Sequence, residues 1–504
     1  MALTLDSLPD ELAGLIIDFL SNDSDALFNV AVTASRYQAL AESVLWRRLF
    51  IQTGQGCKRI LQALKTRRER ATAIHEIELR ATPREEIGLQ KFHKILSLTH
   101  NLRDLIIESP TCNHRQWSKD GNWPIIKQDI EALLLRSGSN VPSTVGAAQP
   151  PLQLLKRLTI HSNGEKTRYW SSMAIFPGLF LHPCLEELTI SCVNFDLGYE
   201  NFPACQKVTP LKRLTLIECN VHSRALLAIL SLPRALEHLY LGENRDHQWE
   251  RSHLPCNDLL SDDEDEFFEA LTQQACSLKT FAYRPRKPEK LTAFSGRHCF
   301  SAMQVLESVS IHGKLGTSNT LEASILSTSP NLQTLVLELD LDTHSERTFD
   351  SLAWVTDAES ISNSVFSHLA KCVATSSTLR NVRVVVSSYR PPSDFHSPHM
   401  IAVIDSFTRS VRTKDIRVTI LYEVRRGWTT IPPYLYDERE PVQHVIFDSA
   451  DSGWTANIDG IGHISEDERR WLEAERQEAL DTEDVLNELN NELDDLNDLI
   501  ELDE

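Results

Sequence analysis

The sequence has no apolar run long enough to span a bilayer, no CxxC pair, no GxxxxGK[ST] phosphate loop and no GxSxG nucleophile turn. Each absence closes a class. Without close to 20 consecutive apolar residues, no transmembrane helix is expected. The first twenty residues lack a basic n-region and carry Asp6, Asp10, Glu11 and Asp18, so no secretory signal is expected. The ten cysteines, at 57, 112, 184, 192, 205, 219, 256, 276, 299 and 372, are scattered and read as reduced, mostly buried thiols of a cytoplasmic or nuclear protein. With no nucleotide loop and no nucleophile turn, neither a catalytic residue nor a cofactor is assigned. Gly460-Ile461-Gly462 is half a dinucleotide motif in a polar stretch and reads as a turn. His396-x-x-His399 lies beside Pro392 and Pro398, without helical geometry or a neighbouring Cys. It falls short of the three or four converging ligands that zinc needs.

What is present is ordinary for a folded chain: 504 residues, 41% hydrophobic and 24% charged. That length exceeds one ordinary core, so several units or a repeat array are expected. The net charge of −20 is uneven. Residues 466–504 hold 17 acidic and 3 basic residues, a net −14, which leaves −6 for the other 465. Such a chain is a poor nucleic-acid binder, because phosphate contacts need Lys and Arg on one face.

The first fifty residues read as three short helices. Pro9 suits a first helical turn, and Ser7 with Asp10 resembles a capping box. Leu12, Leu15, Ile16, Phe19 and Leu20 recur at helical spacing. Ser21 to Asp25 is a turn and a new cap, followed by Ala26, Leu27, Val30 and Ala31. A third helix runs from about Ser35, with Tyr37, Leu40, Ala41, Val44 and Leu45 on one face and Trp46 at its end. Three short helices make a thin core, and the surplus apolar surface asks for a partner.

Leu8-Pro9-Asp10-Glu11-Leu12, then Ile16, Leu20 and Leu27, then Ser35-Arg36, Leu40-Ala41 and Leu45-Trp46-Arg47 resemble the F-box motif nearly element by element. The resemblance covers about a tenth of the chain. It departs from the family in a slightly longer Ser21–Asp25 stretch and in Tyr37-Gln38, where the family often has a Trp. It implies that residues 5–52 bind a Skp-type adaptor, and through it a cullin, with Leu8, Pro9, Leu12, Ile16, Leu20, Leu27, Leu45 and Trp46 building or forming the contact.

Beyond a helical linker at 53–73, a pattern of Leu, two polar residues, apolar, any, apolar recurs. It is led by Leu102, Leu155, Leu185, Leu211, Leu236, Leu278, Leu306, Leu332 and Leu379, with a degenerate copy from Ile74. The steps between the leucines are 53, 30, 26, 25, 42, 28, 26 and 47. Leucine-rich repeats run about 20–29 residues, so the longer steps hold insertions. Ser223–Leu230, Asp265–Ala275, Leu321–Ser327, Ile361–Val373 and Met400–Val411 read as helices between strands, and Ile416–Tyr422 and Val442–Phe447 as the last strands. The fold class is therefore α/β: an N-terminal three-helix F-box, an irregular leucine-rich-repeat solenoid over 74–447, and an acidic helical or disordered tail over 448–504. A doubly wound sheet is disfavoured, because no Gly-rich loop follows a strand. The middle resembles the repeats that follow F-boxes in fungal-type substrate receptors.

Three segments stay open. Ser261 with Asp262, Asp263, Glu264, Asp265 and Glu266 is a solvated helix start or an acidic phosphorylation site. Arg284, Arg286, Lys287 and Lys290 form an exposed loop or a site for an acidic or phosphorylated partner. In the tail, Leu486, Leu489, Leu493, Leu496 and Ile500 make a heptad seam of about two turns of the repeat, and acids around it oppose a free helix.

The resemblance implies a non-catalytic substrate receptor of a Skp–cullin–F-box ubiquitin ligase, with no membrane or nucleic-acid partner. The alternatives are an F-box protein acting outside ubiquitination and a plain repeat scaffold. Strand alternation turns the leucines inward and the residues between them onto the concave sheet face. Target binding is thus expected at Arg157, Thr159 and His161, at Glu187, Thr189 and Ser191, at Arg213 and Thr215, and at His238 and Tyr240. The insertions at 108–151 and 242–277 are the competing place.

Overall fold

A computed structural model describes residues 8–80, 87–109, 123–138, 151–161, 178–195, 206–243, 259, 264–286, 299–314, 329–340, 366–388 except 368, 372 and 375, 398–424 except 413, 432–435, 440–450 and 453–454. The acidic tail, Ser7, Ser261, Gly460–Gly462, His396, Lys287, Lys290 and the expected helix at Leu321–Ser327 lie outside the described residues.

The chain opens with α1 (Asp10–Phe19), α2 (Ser24–Thr33) and α3 (Ser35–Leu45). Pro9 is the N-cap of α1 rather than its first helical residue, and its carbonyl accepts from Leu12 and Ala13. Asp23 caps α2 by accepting from the Ala26 amide at 2.9 Å. The core of this unit is Ala13, Ile17, Leu27, Tyr37, Ala41 and Val44. Tyr37, the departure from the motif, is thus a core aromatic.

The other described residues build one 15-stranded sheet with helices along it. Strands β1 (Arg48–Ile51), β2 (Glu76–Arg80), β3 (Asp104–Glu108), β4 (Arg157–His161), β5 (Glu187–Ser191), β7 (Arg213–Val221), β8 (His238–Glu243), β9 (Thr280–Arg284), β10 (Ser308–Lys314), β11 (Thr334–Asp340), β12 (Asn381–Ser388) and β13 (Arg417–Val424) lie parallel in that order. Among the described strands, only β14 (Val442–Asp448) and β15 (Gly453–Trp454) turn antiparallel, at the far end of the sheet. The short β6 (Asn194–Phe195) pairs with β7 off the main path. Cys192 and Glu218 take positive φ in successive repeats, re-aiming the chain there, and the Asn220 amide donates to the Asn194 Oδ1 at 2.6 Å.

Register explains the pattern. Leu105, Leu158, Leu188, Leu214 and Leu239 stand side by side on neighbouring strands, followed by Phe281, Val309, Leu335, Val382 and Val418. All nine leading leucines are buried. They share one core with helices α4 (Gly54–Thr66), α6 (Phe92–Leu98), α7 (Trp123–Ser137), α8 (Ser223–Ser231), α9 (Glu264–Thr272), α10 (Cys299–Ala302) and α11 (Pro398–Arg412). This is the α/β layering of a leucine-rich-repeat solenoid. His399 falls in the first turn of α11, so part of the His396–His399 stretch is helical after all.

The solenoid begins earlier than Ile74. Strand β1 pairs with β2, and Trp46-Arg47-Arg48-Leu49-Phe50-Ile51 is a further copy with Trp in the leading place. The expected linker at 53–73 is α4 and the short α5 (Glu69–Ala73); Cys57, Leu61, Leu64 and Ala71 enter the main core. Gly54 opens α4 where a Cβ would strike the backbone of Ile87 and Gly88, so the helix seats directly on that turn.

Candidate protein-interaction surfaces

Two surfaces carry the residues singled out above. The first is on α1 and α2. The stripe Leu12, Leu15, Ile16 and Phe19 does share a helix face, but that face meets solvent, and Ala13 with Ile17 turns inward instead. Phe19 is 89% exposed, and Phe28 and Val32 on α2 are exposed as well. At the head of α1, Arg36 donates to the Asp10 carboxylate at 2.8 Å and to the Leu8 carbonyl. That fixes Leu8, half-buried, and Pro9, exposed, against α3. Leu20 and Leu45 pack partly into the three-helix core.

Two expected contact residues lie elsewhere. Leu27 is wholly inside the helical core and offers no surface, so it builds the unit. Trp46 packs against the solenoid core, with the Arg70 guanidinium 5.0 Å above its ring. Arg67 and Arg70 also bind Glu42 of α3 at 2.8 and 3.1 Å. The Arg70 hydrogen bond holds that carboxyl below its ordinary range. Trp46 and Glu42 therefore fasten the helices to the repeats. The signal for the exposed residues Leu15, Phe19, Phe28 and Val32 was their apolar spacing, which does not say which side faces water.

The second surface is the sheet face away from the helices, built by register. One column runs Asp104, Arg157, Glu187, Arg213 and His238; the next runs Thr159, Thr189, Thr215 and Tyr240. Arg157, Glu187 and Arg213 are exposed, and Thr159, Thr189, Thr215, His238 and Tyr240 are half-buried. Arg157 donates to Asp104 at 2.6 Å. Glu187 and Arg213 stand in register, and neither joins an ion pair within 4.0 Å among the described residues. His238 shares a hydrogen bond with Thr280 Oγ1 at 2.8 Å; burial first, then Arg213, lowers its pKa. Tyr240 packs on Cys192 and Ile217, and burial raises its phenol pKa. The next column is closed: His161 and Ser191 are fully buried and joined Nδ1 to Oγ at 2.7 Å. They are structural, contrary to expectation.

At the mouth of the strands lies a column the pattern contained unread. From the second copy to the seventh, the first of the polar pair alternates in sign: Lys156, Glu186, Lys212, Glu237, Lys279, Glu307. Their backbones form one ladder. Glu186 takes Lys212 at 3.1 Å and Lys156 at 3.2 Å, and Lys279 reaches Glu237 at 2.6 Å. Hydrogen bonds from Lys212 and Lys156 keep the Glu186 carboxyl below its ordinary range, and Lys279 does the same for Glu237.

No helix among the described residues is long and apolar enough to cross a membrane. No group of three or more potential metal ligands converges among them. No protein-family model matches the sequence, and no curated protein does. Among solved structures, the leucine-rich repeat-containing protein LegL7 from Legionella pneumophila is similar at a TM-score of 0.33 and 12% identity, over 72% of this chain and 98% of that one. A likeness that slight carries no argument, and the solenoid rests on the strand register above.

Proposed function

We propose that the chain is a non-catalytic receptor of a Skp–cullin–F-box ubiquitin ligase in the cytosol or nucleus. Helices α1–α3 take a Skp-type adaptor, and the open sheet face takes a protein target. The observation that carries the first half is the apolar face of α1 and α2. Leu12, Leu15, Ile16, Phe19, Phe28 and Val32 are exposed together on a unit whose core is only six buried residues. A monomer rarely leaves that much apolar side chain in water without a use. Its sequence is the one that resembles an F-box.

The second half is supported by Arg213 and Tyr240. Arg213, in the middle of the column, joins no ion pair among the described residues, and Tyr240 on the neighbouring strand is half-buried; Arg and Tyr are common interface hot spots. A receptor of this kind breaks no bond. It holds the target near the loaded enzyme and so removes much of the entropy cost of their encounter.

The test is a pull-down with two double variants. Leu8→Ala with Pro9→Ala is expected to lose the adaptor and the cullin while the repeats stay folded. Arg213→Glu with Tyr240→Ala is expected to lose the target and keep the adaptor. Wild-type adaptor affinity in the first variant refutes the F-box reading. An unchanged target set in the second moves target binding to the insertions at 108–151 and 242–277.

A further inference from the structure

The adaptor and target surfaces leave one charged face unused. Between Glu42 and Glu69 the sequence holds no acidic residue and seven cations. Arg47, Arg48 and Arg67 are spent on Asp18, Glu78 and Glu42. Lys58, Arg59, Lys65 and Arg68 are exposed and join no ion pair among the described residues. On α4 the residues Gln55, Lys58, Arg59, Gln62 and Thr66 fall at helical spacing on the solvent side. With Arg70 they line a shallow open depression.

We propose that this face of α4 and α5 is the docking site of the chain's own acidic tail, residues 466–504. The proposal is independent of the adaptor reading. Charge makes the match: the segment carries 17 acidic and 3 basic residues. Acids that repel one another in a free helix are stabilised when cations lie beside them, and the lysine and arginine stems offer apolar footing for the leucine seam.

Two other berths are disfavoured on the same grounds. The apolar face of α1 and α2 is rimmed by acids: Asp10 and Asp18 are paired with Arg36 and Arg47, and the exposed Glu11 and Asp25 join no ion pair among the described residues. It repels a segment of net −14. Of the described cations on and after α11, Arg417 is paired with Asp448, and Arg409 and Arg412 are exposed without an ion pair among the described residues, two charges against the four on α4 and α5. Trp454 donates to Asp405 on α11, and on that helix Arg409 donates to the Asp405 carbonyl. Lys414 donates to the carbonyls of Val373, Ala374 and Ser376. Distance is no obstacle. At about 4.8 Å per strand the sheet order from β1 to β15 covers roughly 60 Å, and the residues from 455 to the seam at Leu486 extend to about 100 Å.

Zero-length carbodiimide cross-linking of the full chain at about physiological salt tests the contact, because it joins only carboxylates and amines already touching. Tail carboxylates are expected on Lys58 and Lys65, about tenfold over the exposed Lys94, Lys156 and Lys207, and to vanish near 1 M salt, where screening shortens to about 3 Å. Lys58→Glu with Arg59→Glu changes only exposed side chains and is expected to cut the Lys65 cross-links about tenfold while the fold is kept. Cross-links that follow lysine exposure around the molecule, or that concentrate on Lys414, overturn the proposal. So do Lys65 cross-links that survive the double variant. Mixing isotope-labelled with unlabelled chains separates the remaining case: joins between chains mean a second copy's tail, which also overturns it.

Discussion

Ile17 and Phe19 are two residues apart on α1 and should fail in opposite ways. Ile17 is 1% exposed in the three-helix core, whereas Phe19 is 89% exposed. Ile17→Ala removes buried methyls and leaves a cavity, which costs about 2–4 kcal/mol in a core this small. Phe19→Ala removes almost nothing from the folded monomer. A phenylalanine side chain covers about 150–250 Å², so full burial by an adaptor is worth roughly 4–6 kcal/mol at about 25 cal/mol per Å². That corresponds to a loss of about 700- to 20 000-fold in affinity, at 1.4 kcal/mol per tenfold. Urea unfolding and adaptor titration on both variants read the two effects separately. Phe19→Ala should unfold with the wild-type midpoint and bind weakly. Ile17→Ala should shift the midpoint. If Phe19→Ala binds within about twofold of wild type, or destabilises as much as Ile17→Ala, the apolar face of α1 is not the contact.

Other consequences are as direct. Glu186→Lys breaks two ion pairs and sets four cations in a row, from Arg103 to Lys212. It should destabilise by about 1–2 kcal/mol, with Glu186→Gln costing about half, and both losses should shrink in high salt; equal losses at low and high salt refute an electrostatic origin. His182 is buried, its Nε2 bonded to the Leu152 carbonyl at 2.9 Å and its Nδ1 accepting from Cys184 N at 3.2 Å. Burial pushes its pKa down to about 4. The unfolded imidazole titrates near 6.5, so the unfolded chain takes the proton first. Stability is full above about pH 6.5 and falls towards pH 4 by up to about 3 kcal/mol. His182→Gln should remove about one proton from that slope in unfolding curves between pH 7.5 and 4.5, and an unaltered slope would count against the assignment.

Much of the architecture was legible because a parallel solenoid repeats its own constraint. Each strand must bury the same two positions against its helix layer, so the leucines at 102 through 379 carry the register in the sequence itself. The first repeat hid because Trp46 replaces its leucine, and a tryptophan there fits an F-box ending equally well. The direction of α1 was hidden for a different reason. Helical period groups Leu12, Leu15, Ile16 and Phe19 on one face, but it does not say whether that face or the one holding Ala13 and Ile17 lies inward. His161 and Ser191 misled through strand alternation, which turns them off the core side. Their burial depends on what packs over that column, and no local pattern carries that.

The alternating column at the strand mouths gives the repeat array a parity. Neighbours attract when one repeat is odd and the other even, and repel when both share a parity. Excising the single repeat from Leu185 to Pro210 would set Lys156 beside Lys212. Excising two, from Leu185 to Ala235, would set Lys156 beside Glu237 and keep the sequence of signs. Arrays that lengthen or shorten in pairs therefore preserve every contact in the column, while a change of one leaves a like-charged seam. The natural unit of growth in this stretch is two repeats, about fifty residues, although each strand and its leucines recur every 25 to 30.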